Sequence, residues 1–357
     1  MGNSIVRSKS PTLFGLLAPV VSSACGKPEP VGAQTRRLVN KAIEALSVRP
    51  VPVTAKSSKK PSLTIGVVIG SFGSPYYGSM LDGVENVLQT VGYKTIAESS
   101  RGTPEGERAA FTSLFARQCD GVIIHSNRLR DEELSTLFDQ QPNAVLMNRL
   151  LPNHRDRCVY FDNFLGGALA AQHLLSMGHR NVAMIRGPAK YRNVAERTRG
   201  FAETFADAGL VMGADLVAVG DYEDQSGFAA MTSLIETGKQ ISAVFCHNDQ
   251  MAAGAINACR FHGIAVPDEV SIIGIDDCSV ARHTSPKLTT IRQPLTAISE
   301  AAGRLAHCLA TGDRENPSLQ RFFEARVVER DSVADISAHL AKSIGYVKLA
   351  PKVTSTA

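Results

Sequence analysis

Short apolar runs rich in β-branched residues alternate with amphipathic helical stretches along most of the chain after Lys60. Segments with helical spacing of apolar residues, such as "SMLDGVENVLQTV" and "QSGFAAMTSLIET", separate these runs. Continuous apolar strands separated by helices predict parallel sheets that are covered on both faces. The predicted strands lie at 64–70, 94–99, 121–126, 143–149, 158–163, 181–187, 216–220, 242–248 and 270–276.

Nine strands are many for one sheet, and the pattern pauses near "SMGHRN" at 176–181. We therefore predict an α/β fold with two doubly wound parallel-sheet lobes in a core at 61–332. A polar tail is expected at 333–357. The predicted lobe bounds are about 61–177 with 293–318 for lobe one, and about 178–292 with 319–332 for lobe two.

Polar and aromatic side chains follow several of the predicted strands. In open α/β sheets, ligands bind beyond the carboxyl ends of the strands. A single Asn or Asp there is usually a helix cap or turn residue, and Asp249 is expected to cap the helix that follows it. Several such groups converging with aromatic rings favour a polyhydroxylated ligand. The strand-end groups are Tyr76, Tyr77, Asn148, Arg149, Asp162, Asn163, Asn248, Asp249, Asp276 and Asp277.

The net charge of +4 is distributed unevenly along the chain. Residues 1–60 carry ten Lys or Arg and two acidic residues, a net charge of +8, whereas the remaining residues have a net charge of −4. A basic head on a mildly acidic body indicates a polyanionic partner, most often nucleic acid. A soluble basic tail is the alternative explanation.

Cysteine usage favours reduced thiols in a cytoplasmic protein. The chain has seven cysteines, an odd number, with wide spacing and no CxxC or Cys/His pattern. We therefore predict no metal site and no cofactor. No apolar run approaches the roughly 20 residues needed to cross a bilayer, so no membrane partner is expected.

The segment "RSKSPTLFGLLAPVVSSAC" at 7–25 supports an alternative interpretation. Its basic residues, apolar stretch and terminal Cys25 resemble an export signal with a lipoprotein-type cysteine. On that hypothesis the chain is an exported or lipid-anchored sugar-binding protein with residues 1–25 as its signal. Pro19 within the apolar stretch and Ser22 near the cysteine argue against it.

From about residue 26 to 332 the chain resembles the lactose/galactose repressor family of bacterial transcription regulators. The resemblance rests on ordered phrases that include "GVVIGSFGSPYYGSMLDGVE", "DGVIIHS", "ERTRGF", "HNDQMAAGA" and "VPDEVSIIGIDD". "NRLLPNHRDRC" is most similar to the galactose-repressor branch. The resemblance implies a small α-helical DNA-binding head, a hinge, and a two-lobed core related to periplasmic sugar-binding proteins.

The resemblance also implies a set of ligand-binding residues. Asn148 stands where sugar binders of the family often have Asp, and Tyr222 stands where an aromatic wall is common. The implied ligand-binding residues are Tyr76, Tyr77, Asn148, Arg149, Asp162, Arg197, Tyr222, Asn248, Asp276 and Gln293.

The head at 1–60 departs from the family pattern. Residues 26–50 resemble the third head helix and its lead-in, but the upstream region lacks the expected helix-turn-helix turn and contains Pro11 and Pro19. Proline inside a helix costs about 3 kcal/mol, so the helix-turn-helix is predicted to be degenerate. The expected DNA contacts, most of them to phosphates, are Arg36, Arg37, Lys56, Lys59 and Lys60.

The sequence thus predicts a cytoplasmic, sugar-responsive transcriptional repressor. Its expected partners are a mono- or disaccharide effector, operator DNA and a second copy of the chain in a homodimer. An enzyme is not predicted, because no Ser-His-Asp arrangement, Walker loop or HExxH motif is present.

Overall fold

The computed structural model of the protein describes residues 61–313 and 319–337. The chain divides into one unit at 1–61 and a second at 62–357, so the described residues belong almost wholly to the second unit. The predicted head and hinge, with the five basic residues assigned to DNA, lie outside the described residues. So does the tail beyond residue 337.

Twelve strands in the described part form two six-stranded sheets. The strand order is β11-β5-β4-β3-β1-β2 in the first lobe and β12-β10-β9-β8-β6-β7 in the second. All pairs are parallel except β10 with β12. The first sheet contains β1 (Thr64–Ile69), β2 (Lys94–Ser99), β3 (Gly121–His125), β4 (Ala144–Met147), β5 (Cys158–Phe161) and β11 (Phe322–Phe323). The second contains β6 (Val182–Arg186), β7 (Val217–Val219), β8 (Ala243–Cys246), β9 (Ser271–Asp276), β10 (Thr289–Arg292) and β12 (Arg326–Val328).

Helices connect the strands in the described ranges. They are α1 (Pro75–Thr90), α2 (Pro104–Ala116), α3 (Asp131–Gln140), α4 (Asn163–Ser176), α5 (Arg192–Asp207), α6 (Asp224–Glu236), α7 (Asp249–Phe261) and α8 (Leu295–Thr311). Short 3₁₀ turns lie at Pro152–Arg157, Ala214–Leu216 and Ser279–Arg282.

Local chemistry accounts for several helix ends. Pro75 and Pro104 occupy the first turns of α1 and α2, where a missing backbone N–H costs nothing. Thr103 Oγ1 accepts a hydrogen bond from the Gly106 N–H at 3.0 Å, which caps α2. At the other end, α8 stops at Gly312, whose φ of 79° is left-handed and suits glycine.

Each sheet is covered on both faces, which confirms the predicted α/β fold with two parallel-sheet lobes. Every residue of β3, β4 and β8 is buried. In the first lobe α1 and α8 cover one face, while α2 and α3 cover the other. In the second lobe α6 and α7 face α4 and α5 across the sheet.

All nine predicted strands are present, with ends within two residues of their predicted bounds. Three further strands were not predicted: β10, β11 and β12. They are two to four residues long, and two of them are edge strands, β11 in the first sheet and β12 in the second. Two or three residues do not establish a pattern in β11 and β12, and β10 has Ile291 as its only apolar residue.

The predicted first crossing between lobes, near residue 177, is wrong. Helix α4 packs through Ala170, Ala171 and Leu174 against strands of the second sheet. The chain therefore crosses at the end of β5, near Asp162. The pause at 176–181 marks only the turn after α4.

The predicted last crossing, between residues 318 and 319, is also wrong. Phe322 and Phe323 form β11 and pair with β5 in the first sheet. The next strand, β12, begins at Arg326 and pairs with β10 in the second sheet. The chain therefore changes lobes between Phe323 and Arg326.

The last described residues are packed against the second lobe. Ser332 Oγ donates a hydrogen bond to the Ile272 carbonyl at 2.6 Å. The Ile336 N–H donates to the Met177 carbonyl at 2.9 Å. The segment predicted to start a polar tail at 333 thus continues as part of the second lobe to residue 337.

Close contact between α4 and α5 depends on two glycines. A Cβ added at Gly167 would overlap the Arg197 carbonyl, and one added at Gly200 would overlap the Phe164 carbonyl. Both neighbours are backbone atoms, which cannot rotate away. The helices must separate if either glycine acquires a side chain.

Gly200→Ala is expected to lower the free energy of unfolding by about 1–3 kcal/mol, because it overpacks this contact. Gly78→Ala is the matched control, since Gly78 is also helical but has no atom within 4 Å of an added Cβ. We expect the control to be neutral or to stabilise by about 0.5–1 kcal/mol. Urea denaturation of both variants measures the difference. Equal free energies of unfolding would contradict the packing argument.

Candidate functional site

A cleft of about 400 Å³ lies at the carboxyl ends of strands from both lobes. The first lobe contributes residues at or just after the ends of β1, β2 and β3. The second contributes residues at or just after the ends of β7, β8 and β9, together with residues of α5. Six of the ten predicted ligand-binding residues line it. They are Tyr76, Tyr77, Arg197, Tyr222, Asn248 and Asp276.

Arg197 lies at the base of the cleft and is 2% exposed. Its Nε donates to Asn163 Oδ1 at 2.9 Å, and its Nη1 donates to the His247 carbonyl. Its Nη2 lies 3.7 Å from Asp276 Oδ1. A guanidinium is always charged, so its burial requires this set of partners.

Asp276 is a buried carboxyl group with an altered pKa. Burial raises its pKa to about 7, and the charge of Arg197 opposes this shift. Its Oδ1 accepts no hydrogen bond. The neighbouring Asp277 instead accepts from Arg292 and Arg330, each at 2.5 Å. The two adjacent carboxylates thus differ: Asp277 is committed to two arginines, and Asp276 faces the cleft.

The backbone is left-handed at several positions of the site. The φ angles are 63° at Asn148, 79° at Tyr222 and 122° at Asp276. Non-glycine residues in sparsely populated regions cost about 1–3 kcal/mol each and concentrate at binding sites. Two of these residues, Tyr222 and Asp276, line the cleft, and Asn148 lies directly behind it.

Aromatic rings form two walls. Tyr76, Tyr77 and His125 meet edge to face in the first lobe, with ring centroids 5.2 to 5.8 Å apart. Tyr191 and Tyr222 meet in the second lobe at 5.7 Å. Burial lowers the pKa of His125 to about 4, so the imidazole is neutral near pH 7.

Asn148 and Gln293 do not line the cleft but lie behind Tyr76. Asn148 Nδ2 donates to Tyr76 Oη at 2.7 Å, and Gln293 Nε2 donates to the same oxygen at 3.2 Å. Their carbonyl oxygens, Asn148 Oδ1 and Gln293 Oε1, are buried without a hydrogen-bond partner. Both amides therefore belong to the wall of the site through Tyr76.

Asn248 lines the cleft as predicted and also takes the capping role expected of Asp249. Asn248, not Asp249, caps α7: its Oδ1 accepts from the Met251 N–H at 3.0 Å. Asn248 Nδ2 donates to the Tyr222 carbonyl at 2.8 Å. Asp249 is buried and accepts from Thr290 Oγ1 and the Cys278 N–H. The expectation that Asp249 caps the helix is thus wrong.

Arg149 and Asp162 are not brought to this cleft. Arg149 donates to Asp131 Oδ1 at 2.5 Å and to two backbone carbonyls. Asp162 Oδ1 accepts from the Leu165 N–H at 2.9 Å and caps α4. Both line a second cavity of about 340 Å³. Their local partners account for their positions.

Sequence reasoning missed several residues that line the cleft. Glu107 is buried and accepts from Ser126 Oγ and three backbone N–H groups, which fixes the loop after β3. Asn193 Oδ1 accepts from the Tyr222 hydroxyl at 3.2 Å. No strand-end pattern marks these positions. The other cleft residues not predicted include Arg101, His125, Asn127, Tyr191, Asp221 and Glu223.

Side chains also connect the two lobes beside the cleft. Asp131 of the first lobe accepts from Arg192 of the second at 3.0 Å, while it also pairs with Arg149. These arginines lower the pKa of Asp131 against the opposing effect of its partial burial. Arg128 lies 5.3 Å from the ring centroid of Tyr191 in the opposite lobe. These contacts stabilise an arrangement in which the lobes are close.

In the ranges 61–313 and 319–337, no group of three or more His, Cys, Asp or Glu side chains is placed to hold a metal ion. Within the same ranges, no helix is long and apolar enough to span a membrane.

Comparison with known proteins identifies relatives along most of the chain. Residues 171–333 match the family described as a periplasmic binding protein-like domain. The HTH-type transcriptional regulator GalR of Escherichia coli K12 is 32% identical over 322 residues, which cover 90% of this chain and 94% of GalR.

Solved structures give the same result for the fold. A sugar-binding transcriptional regulator of the LacI family from Escherichia coli, in complex with phosphate, is 26% identical. The match covers 77% of this chain and 100% of the regulator, with a TM-score of 0.69. The transcriptional regulator CelR, in a complex with cellobiose, is 28% identical to this chain. That match covers 88% of this chain and 94% of CelR, with a TM-score of 0.67.

The raised pKa of Asp276 makes the free energy of unfolding depend on pH. Because it is raised to about 7, the folded protein keeps this proton from about pH 4 to about pH 7, where the unfolded chain has released it. This group therefore lowers the free energy of unfolding as pH rises through that window. Asp276→Asn removes this titrating group, so the slope of the free energy of unfolding against pH should become less negative than in wild type. Urea denaturation at about pH 5, 6 and 7 measures this slope.

The exposed Asp82 on α1 provides the control for this measurement. Asp82→Asn is expected to leave the pH dependence unchanged. An unchanged pH dependence in Asp276→Asn would contradict the assigned protonation of the buried carboxyl group.

Arg192→Gln is expected to shift the lobes toward a more open arrangement, because it removes the ion pair with Asp131. The pair is partly exposed, so the population should change by only roughly two- to fivefold. Pulsed EPR distances between one exposed spin label on each lobe measure this shift. Arg199→Gln is the control, since Arg199 pairs with Glu203 on its own helix. Identical distance distributions in both variants would refute the interlobe role.

Proposed function

Because the chain belongs to the LacI family of bacterial transcriptional regulators, we propose that it is a sugar-responsive transcriptional repressor. Its two-lobed core binds a small carbohydrate, and binding changes the affinity of the N-terminal head for operator DNA. The protein acts in the cytoplasm, as a homodimer. The similarity to GalR, to the LacI-family sugar-binding regulator and to CelR in complex with cellobiose supports this proposal.

The observation that carries the sugar assignment is the combination of tyrosine walls with an unsatisfied acceptor. Asp276 lines the cleft, and its Oδ1 is a buried acceptor atom without a hydrogen-bond partner. Buried polar atoms are nearly always paired, so this oxygen favours a ligand that donates a hydrogen bond. A sugar provides hydroxyl donors at its edge and an apolar face for an aromatic ring.

Arg197 gives the site its complementary donor. Its guanidinium lies beside Asp276 and reaches the cleft wall. A guanidinium and a carboxylate together accept and donate hydrogen bonds, so they suit a pair of adjacent hydroxyls. Together with the tyrosines, they orient a neutral polyol without requiring a charge on the ligand.

The regulatory mechanism follows from lobe closure. A ligand that contacts Asp276 in one lobe and Tyr77 in the other binds the closed arrangement more tightly than the open one. It therefore shifts the population toward closure, and the heads of a dimer move with the lobes. Effector affinity and DNA affinity are then linked reciprocally.

The two other hypotheses have less support. The relatives described above are transcriptional regulators, which favours a regulator over an exported sugar-binding protein. An enzyme is disfavoured by the chemistry of the cleft. Ser126 and Glu107 form a hydroxyl–carboxylate pair beside it, but three backbone N–H groups hold the same carboxylate. That carboxylate is committed to the loop.

Fluorescence anisotropy with a labelled DNA fragment from upstream of the gene tests the proposal. Full-length protein is titrated at low and physiological salt, with and without a panel of mono- and disaccharides. We expect binding that outcompetes random DNA and is changed by one class of sugar. Binding that vanishes with salt and responds to no sugar would contradict the proposed function.

Arg197→Lys separates sugar sensing from other effects. The variant keeps the charge but loses the planar fork, so the sugar concentration needed for a response should rise roughly tenfold or more. Arg199→Lys on the same helix is the matched control and should respond as wild type does. Equal responses of the two variants would remove Arg197 from the proposed site.

A further inference from the structure

Strand β9 ends in a sharp turn that places Asp276 in the wall of the cleft. The φ angles of 122° at Asp276 and 59° at Asp277 are both left-handed. Residues with a side chain keep such angles only where the surrounding contacts hold them there. The position of the Asp276 carboxyl group therefore depends on what holds these two consecutive residues.

The side chain of Asp276 does not hold the turn. Its Oδ1 accepts no hydrogen bond, and Arg197 Nη2 lies 3.7 Å from it. The backbone is tied only once beyond the strand register, because the Asp276 carbonyl accepts from the Gln293 N–H at 3.3 Å. The carboxyl group is thus available to a ligand, but other side chains must fix its location.

Asp277 holds the turn through both of its carboxylate oxygens. Oδ2 accepts from Arg292 Nε and Oδ1 accepts from Arg330 Nη2, each at 2.5 Å. The Asp277 side chain is only 4% exposed, so these charge-assisted hydrogen bonds are shielded from water. The carboxylate cannot rotate without breaking one of them.

Both arginines are tied to strand β10. Arg292 is the last residue of β10 and pairs with Asp276 in the register of the sheet. Arg330 Nη1 donates to the carbonyl of Leu288, directly before β10, at 2.7 Å. Asp277 is therefore linked to both ends of a strand that lies beside β9 in the sheet.

Resting on the proposed function, we propose that Asp277 is a positioning residue for the effector. Its two ion pairs hold Asp276 where that carboxyl group binds a sugar hydroxyl, and Asp277 itself does not touch the sugar. Asp277 is not among the residues that line the cleft, and the two arginines engage both of its oxygens. Its contribution to sugar affinity is therefore indirect and passes through the turn.

Asp277→Asn tests this role. The amide is nearly isosteric with the carboxylate, but its NH₂ group faces an arginine donor, so one of the two hydrogen bonds is lost. The affinity for sugar should fall roughly tenfold or more, because a hydrogen bond to a charged group is worth about that factor. Isothermal titration calorimetry of the full-length protein measures it, with the tightest-binding sugar among D-galactose, D-glucose, D-xylose, L-arabinose, lactose and cellobiose.

Asp277→Glu distinguishes the ion pairs from a purely conformational role. Asn tolerates a left-handed backbone better than Glu and fills the same space as Asp, so a conformational role predicts tighter sugar binding by Asp277→Asn. Glu keeps the carboxylate for the arginines. We therefore expect Asp277→Glu to bind the sugar roughly threefold more tightly than Asp277→Asn, or better.

Arg292→Gln tests the same ion pair from its other side and leaves Asp277 in place. Arg292 is 34% exposed in its side chain, so the loss of sugar affinity should be smaller, roughly three- to tenfold. If the two residues act as one unit, Asp277→Asn combined with Arg292→Gln binds the sugar within roughly twofold of Asp277→Asn alone.

Two control variants account for lost stability and for lost charge. Ile235→Val removes one buried methylene from the core of the same lobe, away from the cleft. Arg304→Gln breaks a partly exposed ion pair with Glu300 on its own helix, in the first lobe. Both should bind the sugar within roughly twofold of wild type.

The outcomes separate the two proposals. Sugar affinity within roughly twofold of wild type in both Asp277→Asn and Arg292→Gln overturns the positioning role and leaves the sugar sensor intact. Tighter binding by Asp277→Asn than by Asp277→Glu also overturns it. A wild-type protein that binds no sugar of the panel overturns the proposed function, and this inference with it.

Discussion

The buried guanidinium of Arg197 is the interaction on which the cleft depends. It is a permanent charge in an environment that excludes water, so each of its donors must find a partner. Asn163, His247 and Asp276 provide these partners from the start of α4 and the ends of β8 and β9. One side chain thus fixes the relative positions of four elements. Its charge also helps burial to keep His247 neutral and opposes protonation of Asp276.

Around this cation the site is strained and incompletely hydrogen-bonded. Left-handed backbone at Asn148, Tyr222 and Asp276 costs free energy that the packed lobes offset. At the same place Asp276 Oδ1, which lines the cleft, has no hydrogen-bond partner in the protein. Both features are unfavourable for folding alone and favourable for a ligand that supplies donors. The rigid strands hold these groups in place, so a ligand need not order them.

The sequence predicts the two sheets well because most of their parallel strands are apolar runs, and nine of these runs stand out between the helices. It does not predict β11, because two residues are too few to show a regular spacing of apolar and polar positions. It places Asn248 at the cleft but gives the helix cap to Asp249, since either side chain can cap and only burial against Thr290 decides. Asn193 lies on a helix and not at a strand end, so no sequence pattern marks it as a cleft residue. Arg149 does follow a strand, but its hydrogen bond to Asp131, 18 residues away in the sequence, holds it away from the cleft. Local sequence patterns identify the strands and helices, and tertiary contacts determine which of their side chains reach the cleft.

A crystal structure of the protein grown with the sugar that most strongly stabilises it would show whether Arg197 and Asp276 bind the effector. We expect one sugar molecule in the cleft, with hydroxyls within hydrogen-bond distance of Arg197 and Asp276 and a ring face against a tyrosine. A sugar bound elsewhere, for example in the cavity beside Arg149 and Asp162, would contradict it. So would a sugar in the cleft that makes no contact with Arg197.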